Sequence, residues 1–581
     1  SRSSRWKKHF KEDLNLVESI SFGLHTSVEQ GPIMIHAQVK DDQWGAYHEA
    51  LDEALEKLRK FYVTREELHS AREYDLVQAD FHWEKMSSKA QSLGYYASLN
   101  QLGFCTAYKE LIRAIRLEDI VRVIEKYLTE EPNVTQMLSE EKQEVTSVAE
   151  EESHHSAAHS ITEITGNQSL ISFESGLQVH YCYDPRATLC SADLFAKNLC
   201  ESMFRFPPGT GYLMQRLISR GTAKLTADQI MEVMDRLGGR YSTVCSDSST
   251  RKDLYRNSLA APSSSFWNAF DVFSTFFTEA SFPDAEINKS RDSILLEIKA
   301  LPDSLSAFCL YHMMKNYFRD HPYGIPFIGT DKSVRSVTRK DMGELYSILY
   351  SPANVLLTLS GPFPISEVVD RCHSSLNRQL GALKVGFGDS KIPEAFDSPV
   401  LNQVVTAKNT KEQAYIIRTF PAPGFRNPDF FAAHVTNEIL GGGMSSRYFR
   451  ILRDEKSYGY EVGSRYQPYL PYGMMYSYLG TDPTRIEDAS RDFQILIQEI
   501  QNERVSEAEL VKARNLVISR FSFAQETLSG RAAMAGAYLA REMDVDFLEQ
   551  YVENIQAVTA DQVMEYTQKY FSSVFEQRVH P

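Results

Sequence analysis

Hydrophobic residues recur with helical spacing in two stretches that lie far apart in the chain. Residues 44–59 and 486–501 both place their apolar side chains on one face of a helix with a period of 3.6 residues. Each stretch follows an extended segment that opens on a glycine, and each precedes a long helix with polar faces and a closing helix. The pattern predicts an α+β fold in which hairpins pack against helices.

The two stretches belong to an internal repeat. SSRWKKHF from Ser3 aligns with SSRYFRIL from Ser445, and VTREELHSAR from Val63 aligns with VSEAELVKAR from Val505 at the same offset. AIRLEDIVRVIEKYL aligns with AVTADQVMEYTQKYF after a slip of one residue. The region from Leu170 to Met444 precedes the second copy and has no counterpart before the first. We therefore expect this chain to hold one half of a larger protein and the tail of the other half.

Composition divides the chain further. Residues 129–169 combine a run of glutamates with Ser, Thr and Ala, and residues 381–399 are rich in Gly, Pro and Asp. We predict the C-terminal part of one unit, truncated at its start, at 1–130, and an acidic flexible linker at 131–169. A degenerate unit is expected at 170–385 and a last unit at 393–581.

Charge and cysteine content narrow the class of protein. The 581 residues carry a formal net charge of −15, which argues against a nucleic-acid binder. No apolar run approaches the length that a membrane-spanning helix needs. Seven cysteines occur without a C-x-x-C pair. We expect free thiols in a soluble protein, and a reducing compartment such as the cytoplasm is favoured over the alternatives, which stay open.

Three histidines, His154, His155 and His159, lie in the predicted linker. On a helix, His155 and His159 would face one metal ion because they are four residues apart. The surrounding Glu, Ser and Ala favour a solvated linker, with adventitious metal binding as the alternative.

The stretch Gly209–Thr222, GTGYLMQRLISRGT, is amphipathic and ends in a Gly-Thr turn. It is followed by a Gly-Gly pair, by INKSRDSILLEIKA, by HPYGIPFIGT and by YSPANVLLTLSGPF. Together these segments resemble the pitrilysin/insulinase-type zinc metallopeptidases, or inverzincins, whose zinc helix carries H-x-x-E-H. The resemblance covers nearly the whole chain. It implies α+β units, each an antiparallel or mixed sheet covered by helices, arranged as halves of a clamshell around peptide substrate.

The sequence departs from this family at the zinc helix. The resemblance aligns Tyr212 with the first histidine, Gln215 with the catalytic glutamate, Arg216 with the second histidine and Glu297 with the third ligand. Zinc needs three protein ligands, and one carboxylate beside a permanent guanidinium charge does not supply them. We therefore expect no metal in this chain, an inactive chain on its own, and Glu297 paired with Arg216 or Lys299.

A second family constellation is retained. The segment ILRDEKSYGY places Arg453 and Tyr460 seven residues apart, as in the family pattern L-R-x-x-x-x-x-G-Y. Both can donate hydrogen bonds to the negative charge that develops on a carbonyl oxygen during peptide hydrolysis. At the repeat offset the first copy has Lys11 and Glu18 instead, so it lacks the pair.

Two further segments resemble binding elements of the family. The run GGGMSSR, at 441–447, leads into the helix that carries Arg453. The strand after Gly238-Gly239 matches the family's substrate-pairing edge strand, but RYSTVC has Ser242 and Thr243 in place of Asn-Ala. Pairing of substrate with this strand is therefore not favoured.

We hypothesise that the chain is the non-catalytic portion of a zinc metalloendopeptidase. It would enclose peptide or unfolded protein and supply Arg453 and Tyr460 to a zinc site on a missing N-terminal half, in the same polypeptide or a separate chain. Two alternatives remain open: a catalytically dead scaffolding homologue and a peptide-binding module. The substrate and the oligomeric state are not read from the sequence.

Overall fold

The computed structural model describes most of the chain. The described residues are 5–14, 16–24, 33–39, 43–61, 63–98, 101–128, 159–164, 167–197, 205–243, 254–380, 401–470, 472–544 and 546–581. His154, His155, Cys200, Cys245 and the Gly/Pro/Asp-rich break lie outside them.

Strands and helices alternate in an α+β arrangement. The strands are β1 (Val17–Leu24), β2 (Ile33–Val39), β3 (His159–Glu163), β4 (Gln168–Phe173), β5 (Gln178–Tyr183), β6 (Leu189–Lys197), β7 (Arg240–Ser242), β8 (Leu254–Pro262), β9 (Val355–Gly361), β10 (Gln403–Lys408), β11 (Ala414–Pro423), β12 (Val462–Pro468), β13 (Tyr472–Thr481) and β14 (Phe575–His580). The helices are α1 (Arg5–Lys7), α2 (Trp44–Phe61), α3 (Arg65–Glu84), α4 (Met86–Ser98), α5 (Leu102–Ala114), α6 (Leu117–Tyr127), α7 (Thr210–Leu217), α8 (Ala227–Arg236), α9 (Phe266–Thr278), α10 (Asp284–Ala300), α11 (Leu305–Phe318), α12 (Asp331–Ser336), α13 (Arg339–Leu349), α14 (Ile365–Cys372), α15 (Arg378–Leu380), α16 (Phe430–Leu440), α17 (Ile486–Asn502), α18 (Glu507–Ala524), α19 (Leu528–Leu539), α20 (Asp546–Glu549), α21 (Tyr551–Ala557) and α22 (Ala560–Tyr570). The described residues also form three π-helical segments, at Lys8–Asp13, His373–Asn377 and Tyr448–Glu455, and four 3-10 helices, at Leu301–Asp303, Pro322–Gly324, Pro352–Asn354 and Pro483–Arg485.

Threonine caps explain where several helices begin. Thr64 accepts a hydrogen bond from the backbone N–H of Glu67, and the Glu67 side chain accepts one from the Thr64 N–H. The same reciprocal arrangement starts α8, α13 and α22. These capping boxes satisfy backbone donors that the first turn of a helix leaves without a partner.

The central sheet has seven strands in the order β3-β4-β5-β9-β6-β8-β7. Neighbouring strands are antiparallel except β5 and β9, which run parallel, so the sheet is mixed. Helices α7, α9 and α13 pack on it and bury an aromatic-rich core that includes Phe266, Phe270, Phe273 and Phe277. The three-residue strand β7 forms one edge of this sheet.

The C-terminal sheet has five strands in the order β10-β14-β11-β13-β12. The β10–β14 pair is parallel and the others are antiparallel. Helices α16, α17, α18 and α22 cover one face and bury Phe493, Leu496 and Ile500 among other apolar residues. Each of the two large sheets thus carries its own hydrophobic core.

The two sheets exchange helices. Helix α19, from the C-terminal region, packs across β5, β9 and β6 of the seven-stranded sheet. Helix α11, from the central region, packs on β11 and β14 of the five-stranded sheet, where Met313, Tyr317 and Phe318 are buried. This reciprocal packing ties the two regions together through buried apolar surface.

The repeat seen in the sequence is also present in the structure. Helices α2, α3 and α4 precede α17, α18 and α19 by one constant offset, that of the sequence repeat, and α6 precedes α22 with the same slip of one residue. The antiparallel hairpin β1–β2 occupies the place of β12–β13. In the first copy this hairpin and α2 bury a small cluster around Phe10, Leu16 and Tyr47.

The predicted α+β fold, with mixed sheets covered by helices, is confirmed. The predicted start of the central unit is too late. Strand β3 and the beginning of β4 fall inside the range assigned to the linker, because the β-branched Ile161 and Thr162 pair with β4. His159 therefore lies in a strand, where its ring is 6.0 Å from that of Phe173.

None of the described helices combines the length and apolar character that crossing a bilayer requires. The described cysteines, Cys105, Cys182, Cys190, Cys309 and Cys372, are all buried free thiols. Burial raises the pKa of the Cys182 thiol to about 12. This cysteine is therefore a packing residue rather than a nucleophile.

Candidate functional site

Helix α7 carries the frame that the sequence singled out. Its N-cap Gly209 has a φ of 94°, and a Cβ there would lie 2.9 Å from the carbonyl oxygen of Ile328. Glycine is therefore needed to start the helix. Leu213, Met214 and Leu217 are fully buried in the core behind the helix. The position of α7 is thus fixed by packing and does not require a metal ion.

Tyr212, Arg216 and Glu297 meet on the outer side of α7. The Tyr212 hydroxyl donates to Glu297 Oε2 at 3.0 Å, and Arg216 Nη2 lies 2.7 Å from Glu297 Oε1. The Arg216 guanidinium is 5.2 Å from the centre of the Tyr212 ring, a cation–π distance. Of the two partners considered for Glu297, Arg216 is the one it contacts.

The fourth position of the frame, Gln215, is buried in the core. Gln215 is 1% exposed, and its Nε2 donates to the Tyr350 hydroxyl at 2.9 Å. Asn257 Nδ2 also lies within 3.3 Å of that hydroxyl. Gln215 therefore joins a buried polar network between α7, β8 and the end of α13, and it has no basic group with which to activate water.

The donor set at these positions does not fit zinc. A phenol, a guanidinium and one carboxylate offer a single ordinary zinc ligand, and the Arg216 charge lies where a cation would have to bind. Among the residues that the structure describes, no cluster of three or more His, Cys, Asp or Glu could hold a metal ion. The Arg216–Glu297 ion pair instead neutralises the charges of both side chains.

The edge strand β7 is partly covered from outside. The Gly238-Gly239 turn that opens it lies against α3, since a Cβ on Gly238 would be 2.6 Å from Val77 Cγ2. The Arg240 guanidinium lies 4.1 Å from the centre of the Phe81 ring of α3. Substrate pairing along β7 would have to start beside this contact.

The HPYG segment has a packing role. Tyr323 is buried, and its ring stacks on that of Tyr469 with 4.1 Å between the centroids. His321 Nδ1 accepts a hydrogen bond from the backbone N–H of Tyr323, two residues later, and also contacts the Tyr472 hydroxyl. This segment thus joins the end of α11 to the β12–β13 hairpin.

Arg453 and Tyr460 lie side by side at the C-terminal sheet. Arg453 Nη1 donates to the Tyr460 carbonyl oxygen at 3.3 Å, and the guanidinium is 5.5 Å from the centre of the Tyr460 ring. The ring of Phe449, one turn earlier, lies 4.3 Å from the same guanidinium. The Tyr460 side chain is 88% exposed, so its hydroxyl is open to an approaching molecule.

The segment between Arg453 and Tyr460 is fixed by contacts with Asp492. Tyr458 is buried and donates to Asp492 Oδ2 at 2.6 Å, while Lys456 Nζ lies 2.7 Å from the same oxygen. Burial raises the pKa of Asp492, but the hydrogen bonds from Lys456 and Tyr458 outweigh it, and the net pKa is lower than usual. Asp492 is therefore a charged anchor for the turn that presents Tyr460.

A second constraint lies just before Tyr460. A Cβ on Gly459 would lie only 1.9 Å from the Gly480 carbonyl oxygen, so the backbone here runs directly against β13. Arg485 adds hydrogen bonds of 2.8 Å to the carbonyl oxygens of Lys456 and Ser457. The exposed tyrosine thus follows a turn that is fixed on several sides.

The glycine run before this helix makes close backbone contacts. A Cβ on Gly441 would lie 2.3 Å from the backbone nitrogen of Ser464 in β12. Arg447 forms two hydrogen bonds with Glu509 of α18, at 2.8 and 2.9 Å. These contacts position the helix Tyr448–Glu455 between β12 and α18.

The predicted site residues therefore form two separate groups in the structure. Tyr212, Arg216 and Glu297 meet beside the seven-stranded sheet, and Arg453 meets Tyr460 beside the five-stranded sheet. The sequence interpretation missed Phe449, although its spacing of four residues from Arg453 is a helical contact signal. It also missed the contact between Tyr350 and Gln215, which lie far apart in the sequence and leave no local pattern.

Two family profiles match the segments that carry these two groups of residues. The profile described as Insulinase (Peptidase family M16) matches residues 207–331, which include Tyr212, Gln215, Arg216 and Glu297. The profile described as Peptidase M16 inactive domain matches residues 336–517, which include Arg453 and Tyr460.

Individual relatives give the same result. An uncharacterized zinc protease of Rickettsia felis is 24% identical over 369 residues, which cover 63% of this chain and 86% of that protein. The crystal structure of a protease from Helicobacter pylori superposes with a TM-score of 0.64 at 18% identity over 71% of this chain and 99% of that one. The periplasmic protease PqqL from Escherichia coli superposes with a TM-score of 0.60 at 13% identity over 99% of this chain and 68% of that one. With two adjoining family profiles, zinc-protease relatives and a shared fold, the chain belongs to the pitrilysin/insulinase family of metallopeptidases, peptidase family M16.

Proposed function

We propose that this chain is the non-catalytic portion of an M16 zinc metalloendopeptidase and that it supplies Arg453 and Tyr460 to a zinc site carried by another M16 unit. The observation that carries the proposal is the contrast between the two groups. The zinc-helix positions are closed on one another, whereas Arg453 lies against an exposed tyrosine on a fixed turn.

The two donors, the half-buried Arg453 and the exposed Tyr460, suit the chemistry of peptide hydrolysis. When water adds to a peptide carbonyl, negative charge develops on its oxygen, and hydrogen-bond donors already aimed at that oxygen lower the barrier. The Tyr460 hydroxyl is a neutral donor, and the Arg453 guanidinium is charged at every physiological pH. Arg453 and Tyr460 already contact each other without substrate, and the turn that presents Tyr460 is fixed by its own contacts.

The role of the central unit in this proposal is enclosure. Its α7 helix retains the packing of a zinc helix, but Tyr212 and Arg216 occupy the ligand positions and pair with Glu297. The zinc that the family uses would be held by a unit with an intact H-x-x-E-H. That ion would polarise the scissile carbonyl there, while this chain contributes Arg453, Tyr460 and a wall of the substrate chamber.

The arrangement in units supports this assignment. We propose that residues 1–130 form part of one unit, 170–385 with the preceding β3 and β4 a degenerate peptidase unit, and 393–581 a last unit that bears the Arg/Tyr pair. The superposition with PqqL covers 99% of this chain but 68% of PqqL. This difference in length supports the proposal that the chain works as part of an assembly with further units. In such a protein the two halves would close as a clamshell on a peptide.

A second candidate function is scaffolding without catalysis. In this alternative the Arg216–Glu297 ion pair replaces the metal in a helix kept for packing, and the whole chain would be kept in the same way. The two candidates differ in what Tyr460 does. In a scaffold the hydroxyl of Tyr460 has no role, whereas the proposed function requires this hydroxyl.

The experiment combines this chain with an M16 polypeptide of the same source organism that carries an intact H-x-x-E-H. Cleavage of a fluorogenic peptide library is measured with each protein alone and with the mixture. The proposal expects cleavage only in the mixture and a strong loss of turnover with Tyr460→Phe. Tyr183→Phe, at another exposed tyrosine, is the matched control. Full activity of the Tyr460→Phe mixture would favour scaffolding.

A further inference from the structure

The guanidinium of Arg453 contacts two aromatic rings. Its central carbon lies 4.3 Å from the centre of the Phe449 ring and 5.5 Å from the centre of the Tyr460 ring. At both distances the cation is attracted by the electron-rich face of the ring. The N–H groups of a guanidinium point outward in its own plane. Contacts between ring faces and the flat cation therefore leave its hydrogen-bond donors available.

Most of these donors have no acceptor within the part of the chain that the structure describes. Arg453 Nη1 donates to the Tyr460 carbonyl oxygen at 3.3 Å, and this is the one hydrogen bond that its guanidinium makes to a described residue. A guanidinium has five N–H donors. Arg453 thus keeps donors for a group that is not yet present.

The charge of Arg453 is also kept. Asp454 and Glu455 follow it directly in the chain, but no described carboxylate lies within ion-pair distance of Arg453, and Glu455 Oε1 lies 3.4 Å from Arg450 Nη1 instead. A carboxylate paired with Arg453 would cancel the positive charge that a developing oxyanion needs. An aromatic ring attracts the cation without cancelling its charge.

Phe449 does not act as a core residue. It is half-buried, and it belongs to none of the hydrophobic clusters that the described residues form. Its neighbours on the same helix differ, since Tyr448 and Leu452 are fully buried in the C-terminal core and the Tyr448 ring lies 4.9 Å from that of Phe493. The contact of Phe449 with Arg453 is therefore not a by-product of core packing.

The helix that carries both residues has an unusual form. Phe449 and Arg453 lie on the π-helix Tyr448–Glu455, and the N–H of Lys456 just after it donates to the Ile451 carbonyl oxygen, five residues earlier, at 2.9 Å. Turns of this kind are rare, short and frequent at functional sites. This second observation places Phe449 in a segment with a role beyond ordinary packing.

We propose that Phe449 is a positioning residue for Arg453. Its ring holds the guanidinium beside Tyr460 and away from the neighbouring carboxylate of Asp454, so that the charge and the N–H donors of Arg453 remain available to the oxygen of a scissile peptide bond. The role rests on the function proposed above, because it acts only through Arg453.

The first test uses the two-component assay, in which this chain is mixed with an M16 polypeptide that carries an intact H-x-x-E-H. Phe449→Leu keeps an apolar side chain but removes the ring, and we expect kcat to fall by about 3- to 30-fold with little change in KM. Phe449→Tyr keeps the ring and should retain kcat within about twofold. Phe523→Leu, at an exposed phenylalanine of α18, is the matched control.

A double-mutant cycle separates positioning from stability. If Phe449 acts through Arg453, Phe449→Leu should cause no further fall in kcat once Arg453→Ala is present. A general folding defect would lower turnover in both backgrounds. Urea denaturation of each variant shows whether the folded chain is retained.

A readout without turnover uses this chain alone. In a chain with isotope-labelled arginine, the Nε–H signal of Arg453 is assigned by its loss in Arg453→Lys. Ring currents displace the signals of protons that lie over an aromatic face. The signal should therefore move in Phe449→Leu and stay near its wild-type position in Phe449→Tyr.

Three results would overturn the proposal: an unchanged kcat in Phe449→Leu while Arg453→Ala is impaired, an equal loss in Phe449→Tyr, or an equal loss with and without Arg453→Ala. The proposed function fails in a different way. If Arg453→Ala and Tyr460→Phe leave turnover unchanged while the Arg453 signal moves in Phe449→Leu, the ring contact exists but serves no catalytic role, and both proposals fall.

Discussion

Arg216 Nη2 of α7 lies 2.7 Å from Glu297 Oε1 of α10, so the two side chains form an ion pair between these helices. Tyr212 completes the group by donating to the other oxygen of the same carboxylate. The three side chains that the family resemblance aligns with zinc ligands thus converge on one point between α7 and α10.

This convergence predicts that zinc binding can be restored. In the variant Tyr212→His, Gln215→Glu and Arg216→His, two imidazoles one helical turn apart would face Glu297, which gives a His₂Glu ligand set. We expect one Zn²⁺ per chain by metal analysis, against none tightly bound in the wild type. Adding Glu297→Ala to this variant should lose the metal. One tightly bound Zn²⁺ per wild-type chain would contradict the account of this site.

Gly536→Ala should destabilise the chain. The added methyl would collide with Thr358 and Phe195 of the seven-stranded sheet, and such overpacking costs more than the gain in helix propensity. We expect a net loss of about 1–2 kcal/mol in the free energy of unfolding, measured by urea denaturation. Gly343→Ala, at an open helical position, should gain stability instead. A stability gain in both variants would show that α19 is not tightly packed.

His180 should make stability depend on pH between about 6.5 and 4. It is fully buried in β5 with its Nε2 2.9 Å from Gln168 Oε1, and burial lowers its pKa to about 4. The unfolded chain therefore binds a proton before the folded chain does, and stability falls as pH drops from 6.5 to 4, by up to about 3 kcal/mol. His180→Gln should flatten this part of the pH profile in denaturant titrations. An unchanged profile would rule out His180 as its source.

Tyr458→Phe should weaken the turn that presents Tyr460. The change removes the hydrogen bond to Asp492 and leaves Lys456 as its remaining partner there. We expect a loss of about 1 kcal/mol in the free energy of unfolding and a lower turnover in the two-component assay, because Tyr460 loses its support. Tyr183→Phe serves as the control. Reduced stability with full turnover would mean that the turn does not orient Tyr460.

The fold was largely predictable because its signals are local and repeated. Helical periodicity located α2 and α17, and the constant repeat offset aligned the whole first copy with the second. The start of the central unit was placed too late, since the five residues of β3 follow a glutamate-rich stretch although they pair with β4. Tertiary pairing of that kind leaves little trace in a short segment.

For the candidate site, the sequence indicated which residues to consider but not which of them are in contact. Family resemblance named Tyr212, Arg216 and Glu297, but it did not show that all three contact one another. The support of Tyr460 by Asp492 and the network of Gln215 with Tyr350 and Asn257 join segments far apart in the chain. Such contacts depend on the packing of whole units, which no spacing in the sequence encodes.

We propose that Arg453 and Tyr460 act on the transition state of peptide cleavage. The most direct test is the kcat and KM of the two-component assay with Tyr460→Phe and Arg453→Lys, beside Arg450→Lys on the same helix as the control. We expect kcat to fall about 100- to 1,000-fold in Tyr460→Phe with little change in KM, because one hydrogen-bond donor to the developing negative charge is lost. An unchanged kcat, or equal losses in turnover and substrate binding, would contradict it.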